Sequence, residues 1–177
     1  MIFLTLPRPE LGSSFVAALE AGFRFGGAEP KSALEIAAIE AGLVPYLTLL
    51  NAQGGTIPSA DGTEAERVPF SQLWLTDGAE FLGTFSIRYR LSPWLRFRGG
   101  HIGYAISPKR QGQGLATAGL RLALAHARAA GIGRVLVTCA DDNLASAKVI
   151  ERNGGRLEAV LPDPQKPGLF RRYWIDG

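Results

Sequence analysis

Residues 103 to 116 read Gly-Tyr-Ala-Ile-Ser-Pro-Lys-Arg-Gln-Gly-Gln-Gly-Leu-Ala, and no other stretch constrains the fold of this chain as tightly. The strand pattern of His101 to Ile106 is stopped by Ser107-Pro108, because proline cannot donate to a ladder. A helical pattern then runs from Leu115 to Ala130, with Leu115, Ala118, Leu122, Ala125 and Ala129 on one face and Thr117, Arg121 and Arg128 on another. In between, Gly112 and Gly114 let successive N–H groups converge with no side chain in the way. The helix start adds unpaired N–H groups and the positive end of its dipole. A strand, a glycine turn and a helix in direct succession make a pyrophosphate cradle and call for a sheet with helices on its faces.

Two nucleotide-binding patterns fit this cradle poorly. A P-loop requires Gly-x-x-x-x-Gly-Lys-Ser/Thr, which is absent. A dinucleotide turn requires Gly-x-Gly-x-x-Gly, but its third position here is Thr117, and too few strand–helix units follow to build two mononucleotide halves. Composition narrows the field further. The chain has 177 residues, 46% of them hydrophobic, enough to bury a real core in a single domain spanning 1–177. The single cysteine, Cys139, excludes a disulfide framework, and with only His101 and His126 beside it no metal site is expected. Fifteen of the nineteen basic residues are arginines spread along the chain, and the net charge is only +3, so no nucleic-acid partner is expected. The one dense group is Arg88, Arg90, Arg96 and Arg98. It reads either as a solvated hairpin and loop or as a patch for an anionic ligand. No apolar run has the length of a membrane span and no basic leader precedes Met1-Ile-Phe-Leu, so no membrane association and a cytoplasmic location are expected.

The remaining segments fall into order around the turn. Ile2 to Leu6 reads as an edge strand ended by Pro7. A helix capped by Ser13 or Ser14 runs to Ala21, where Gly22 stops it. A second helix starts near Pro30, with Leu34, Ala37, Ala38 and Ala41 as its apolar stripe. Pro45 to Leu50 fits helix and strand equally, and 51–68 reads as a long loop. Phe70 to Thr76 and Phe81 to Leu91 alternate as a hairpin across Asp77-Gly78, and Pro93 to Gly100 turns the chain. After the long helix come a buried strand, Arg134 to Cys139, and a helix capped near Asn143 that ends at Asn153-Gly154-Gly155. Arg156 to Val160 and Leu169 to Ile175 close the sheet. An antiparallel meander followed by strand–helix–strand–helix–strand argues a mixed α/β (α+β) sheet.

Gln111-x-x-Gly114-x-Ala116, in this order of elements, resembles the (Arg/Gln)-x-x-Gly-x-(Gly/Ala) element of the GNAT superfamily of N-acetyltransferases. The resemblance covers residue 70 to the C-terminus, and residues 1 to 50 by outline. It implies a mostly antiparallel, twisted sheet with a central splayed parallel strand pair, Gly103–Ile106 and Val135–Cys139, and helices on both faces. It also implies that 70–177 is the cofactor-binding core and 1–69 the variable, acceptor-side part. The cosubstrate it implies is acetyl-CoA. Its pyrophosphate would sit on Gln111, Gly112, Gln113, Gly114, Leu115 and Ala116, and its pantetheine arm would run along Tyr104, Ala105 and Ile106. Asn143 matches the family asparagine that reaches the pantetheine, although it suits a plain helix cap equally well. Ser146 matches the small residue three places on, and Lys148 is placed to meet a CoA phosphate or to be a solvated helix charge.

The reaction implied is aminolysis of the thioester by a small-molecule or peptide amine in a ternary complex, an N-acyltransferase activity. The amine must lose a proton, and the leaving thiolate gains from a donor. Many family members place a tyrosine seven residues after the asparagine as the acid. Here that position is Ile150, so the role does not carry over. Tyr104, Tyr173 and Ser146 are substitutes by location. His101 is the side chain near the site strand that titrates near neutrality, and it reads as a base or as a plain strand-end histidine. The alternative reading is a CoA-binding sensor or regulatory module without catalysis. A homodimer is expected from family habit alone.

Overall fold

The computed structural model describes residues 1–26, 28–58 and 64–176. Its contacts divide the chain into two compact units: 1–52, 71–86 and 104–122 in one, and 53–70, 87–103 and 123–177 in the other. Strand β1 (Phe3–Thr5) joins β4 (Phe70–Thr76), β5 (Phe81–Arg88) and β6 (Ile102–Ile106) in a four-stranded sheet of order β1-β4-β5-β6. Strands β7 (Arg134–Ala140), β9 (Leu169–Asp176) and β8 (Arg156–Pro162) form a second, antiparallel sheet of order β7-β9-β8. The mixed α/β architecture of antiparallel strands and helices read from the sequence is present, and β6 and β7, the pair expected to splay, belong to different sheets. Within the long loop expected over 51–68, β2 (Thr56–Pro58) pairs antiparallel with β3 (Glu64–Glu66), while 59–63 lie outside the described residues.

The first unit is built on aromatic packing. Helix α1 (Gly12–Glu20) buries Phe15, whose ring lies 4.7 Å from Trp74 and 5.2 Å from Phe81. Phe23 closes on Phe81 edge-on at 5.2 Å. Each such pair adds about 0.5–1.5 kcal/mol beyond the area it buries. Ser14 does not cap α1. Its hydroxyl donates to Leu11 O and accepts from Phe81 N–H, tying the helix to β5. Gly22 stops the helix as expected, in the left-handed region at φ 85°.

Helix α2 begins at Ala33 rather than at Pro30, because Ser32 and Glu35 form a capping box. Its buried residues are Ile36 and Ile39, whereas Leu34, expected in the stripe, is 82% exposed. The segment that fitted helix and strand equally is helix α3 (Leu43–Leu50). No single helix among the described residues is long and apolar enough to cross a membrane; α2 and α3 pass such a test together, but with a 98° bend between them.

Helix α5 (Leu115–Ala129) buries Gly119, Leu120, Ala123, Leu124 and Ala127, one step round from the expected face. A Cβ at Gly119 would collide with the Phe85 ring and crowd Leu75, so the helix can lie on β5 only where it has no side chain. The turn expected over 93–100 contains a short helix, α4 (Pro93–Phe97), capped by Ser92.

The second unit depends more on polar groups. Arg98 donates through Nε and Nη2 to Asp163 Oδ2, at 3.2 and 2.9 Å, and the Asp163 side chain is fully buried. Burial alone would raise the Asp163 pKa, but the Arg98 guanidinium and the Gln165 N–H hold it below the ordinary carboxylate value. Helix α6 (Leu144–Arg152) follows its expected signals. Asn143 Oδ1 accepts from Ser146 N–H at 3.0 Å, and Gly155 N–H returns to Ile150 O.

Candidate functional site

The glycine turn lies in the first unit. Ser107 is buried at the end of β6, a short 3-10 turn covers Pro108–Arg110, and Gln111 is extended. Gly112 and Gly114 both have φ 75°, and a Cβ at either would meet nothing within 4 Å. Glycine is thus required there by backbone conformation and not by crowding. Residues Gln111 to Gly114, with their main-chain N–H groups, form an exposed turn between β6 and α5. These donors, together with the first turn of α5, give an anion site built from main chain. Arg110 buttresses the turn through Glu80, at 3.2 Å, while its Nε is buried with no partner. Gln111 Nε2 donates to Ile106 O at 3.3 Å.

Tyr104, Ala105 and Ile106 in β6 are half-buried. The Tyr104 ring stacks on Phe85 at 5.5 Å, and Ala105 lies against the aromatic core. Leu115 and Ala116, also half-buried, open α5. The first unit therefore carries all the residues expected to take the pyrophosphate and the pantetheine arm, apart from those in α6.

His101, Asn143, Ser146, Lys148 and Tyr173 belong to the second unit. His101 is 9% exposed and occupies an unusual place in the backbone pairing. Its N–H donates to Leu136 O at 2.7 Å, but Leu136 N–H donates to the imidazole Nδ1, at 2.9 Å, rather than to a carbonyl. The His101 carbonyl is taken instead by Arg88 N–H. With Nδ1 accepting, the neutral ring carries its proton on Nε2. Burial, reinforced by Arg96 and Arg88, lowers the His101 pKa and keeps the ring neutral.

Asn143 is the cap of α6, so its Oδ1 is engaged while the residue stays exposed. Ser146 hydrogen-bonds the Cys139 thiol, whose pKa is raised chiefly by burial. Lys148 is exposed on α6. Tyr173 is fully buried and its hydroxyl donates to Glu151 at 3.0 Å. Burial, the Glu151 carboxylate next to it, and the hydrogen bond between them outweigh Arg171 and raise the phenol pKa. Ile150 is fully buried, facing Gly155. Among the described residues, no group of three or more His, Cys, Asp and Glu side chains stands close enough to hold a metal ion.

A groove of about 570 Å³ runs beside α4, lined by Arg96, Phe97, Glu158, Leu161 and Arg172 among others. Arg172 spans it, donating to Glu158 and to the carbonyls of Arg96 and Phe97. None of the expected site residues lines it. Arg88, one of the four clustered arginines that read either as a solvated group or as a patch for an anionic ligand, is half-buried at the end of β5.

Solved structures share this architecture. Mycobacterium smegmatis RimJ in complex with a CoA disulfide superposes with a TM-score of 0.68 at 18% identity, over 99% of this chain and 82% of that one. The microcin self-immunity acetyltransferase MccE, in complex with acetyl-CoA and AMP, gives 0.64 at 15% identity, over 99% and 92%. RimL, a ribosomal-protein alpha-N-acetyltransferase in complex with coenzyme A, gives 0.62 at 17% identity, over 99% and 94%. At such identities the likeness is one of fold. No curated protein matches the sequence. The acetyltransferase (GNAT) domain matches residues 59–156, more than half of the chain, and with the Gln111–Ala116 turn in its strand–turn–helix setting this chain belongs to the GNAT acetyltransferase family.

Proposed function

We propose that this protein transfers the acetyl group of acetyl-CoA to an amine of a small molecule or peptide, by direct attack within a ternary complex in a single 1–177 domain. The observation that carries this reading is the exposed turn at Gln111–Gly114, which leads straight into α5 and whose two glycines are left-handed. The pyrophosphate takes those N–H groups, with Gln113, Leu115 and Ala116 completing the cradle. The pantetheine arm pairs with Tyr104, Ala105 and Ile106, and an N–H of that stretch polarises the thioester carbonyl. Asn143 Nδ2 remains available to the pantetheine, and Lys148 to a phosphate.

In the reaction the amine nitrogen bonds to the acetyl carbon, the C–S bond breaks, the attacking nitrogen loses a proton and the thiolate gains one. Holding the two reactants together supplies much of the acceleration. The candidates for proton handling are Tyr104, Ser146, His101 and Tyr173. For His101 the only lone pair already accepts Leu136 N–H, so service as a base requires that bond to yield.

Calorimetry with acetyl-CoA, followed by CoA release over an amine panel, tests the reading. Micromolar binding and turnover are expected, and a folded sample that does not bind at millimolar ligand overturns it. A second reading, a CoA-binding sensor without catalysis, is favoured by the buried Ile150 at the family's acid position. Binding with no turnover on any amine would support the sensor.

A further inference from the structure

Arg88, at the end of β5, lies against Gly103 of β6. A Cβ at Gly103 would sit 3.8 and 3.9 Å from its Nη1 and Nη2, so the guanidinium lies alongside a strand position that has no side chain. Nη1 donates to Gly100 O at 3.0 Å. Among the described residues it forms no ion pair, and no other acceptor takes its remaining N–H groups. A guanidinium has five N–H donors in a rigid fork suited to a planar anion. Burial lowers the Arg88 pKa and no carboxylate offsets it. The surrounding field has the same sign, since Arg96 and Arg88 both act on His101. A half-buried guanidinium with donors left over and no carboxylate beside it is set to take an anionic partner.

We propose that Arg88 is a specificity-determining residue that receives an anionic group, carboxylate or phosphate, on the acceptor, so that the preferred substrate is an amine carrying its own negative charge. This rests on the acetyltransferase reading, because Gly103 immediately precedes the Tyr104–Ile106 stretch assigned there to the pantetheine arm.

The test compares matched amines: ω-amino acids of increasing length, the corresponding amino alcohols, and phosphoethanolamine. Wild-type protein should favour an anionic member over its neutral partner by about 10- to 100-fold in kcat/KM, the range for a charge-assisted hydrogen bond. Arg88→Gln should abolish that preference while leaving neutral amines and acetyl-CoA affinity within about 3-fold. Arg88→Lys, which keeps the charge but loses the fork, should retain part of it and serves if Arg88→Gln does not fold. The phosphate arm distinguishes the two anions. Binding of the N-acetylated products to CoA-loaded protein, read by calorimetry, gives the same comparison without turnover. A wild type indifferent to acceptor charge, or a preference that survives in Arg88→Gln, overturns the proposal while acetyl-CoA binding stands. Loss of acetyl-CoA binding in folded wild type overturns both readings.

Discussion

The two units handle polar groups in opposite ways. In the first, the core is aromatic and the candidate anion site is main chain: N–H groups on an exposed turn shaped by Gly112 and Gly114. In the second, side chains carry polarity inward: Arg98 on buried Asp163, His101 on Leu136 N–H, and Arg88 against Gly103. A backbone site needs no charge of its own, so a chain with a net charge of only +3 can still offer one to an anion. A buried side-chain network needs every partner, because removing one strands the other in a medium that solvates it poorly. Substitutions should therefore report volume in the first unit and charge in the second.

The sharpest break is Arg98→Ala, which leaves the Asp163 carboxylate buried and unpaired. It should cost about 3–5 kcal/mol in urea unfolding, and adding Asp163→Ala should return part of the loss. A loss in the double variant equal to the sum of the two single losses would mean the pair is not coupled. Phe15→Ala should cost about 3–5 kcal/mol by the same measurement, purely through the cavity left among Trp74, Phe81 and Phe25.

His101→Phe comes next, at about 1–3 kcal/mol, since Leu136 N–H is left with no acceptor. It also has a pH signature. The folded pKa lies below the ordinary 6.5, so the unfolded chain binds the proton more readily. The contribution of His101 is complete above pH 6.5 and is lost as pH falls from there towards the folded pKa. Denaturation midpoints measured across that window should flatten in His101→Phe relative to wild type.

Smallest in stability is Gly112→Ala, at about 1–2 kcal/mol for forcing an L-residue into the left-handed region. Its larger consequence is a drop in acetyl-CoA affinity of about 10-fold or more, measured by calorimetry, because the N–H groups no longer converge.

What could be read from the sequence was what is local. The Ser107-Pro108 stop, the two glycines, the Asn143 cap and the Gly154-Gly155 exit each act within a few residues, and the structure keeps them. What could not be read depends on partners far along the chain. The face of α5 was misread because an alanine-rich helix offers two apolar stripes, and Phe85 selects the one with Gly119. The stripe of α2 was misread because two apolar faces run along this helix, and the one that packs inward carries Ile36 and Ile39. His101 was seen as titratable, but that its ring replaces a carbonyl opposite Leu136 is a pairing 35 residues distant. Arg88 stood in the sequence as one of four clustered arginines, and composition does not tell which of them is half-buried against a glycine.

The Ser14 hydroxyl, bridging Leu11 O and Phe81 N–H, has a kinetic side. Its two anchors are 67 residues apart, so the bond becomes available only once that length of chain has closed on itself. Until β4 and β5 exist, α1 has neither this tie nor the Trp74 and Phe81 rings against which Phe15 rests. As the chain leaves the ribosome the first helices wait for residue 81, and the acquisition of the N-terminal core becomes a late, long-range step in folding rather than an early local one.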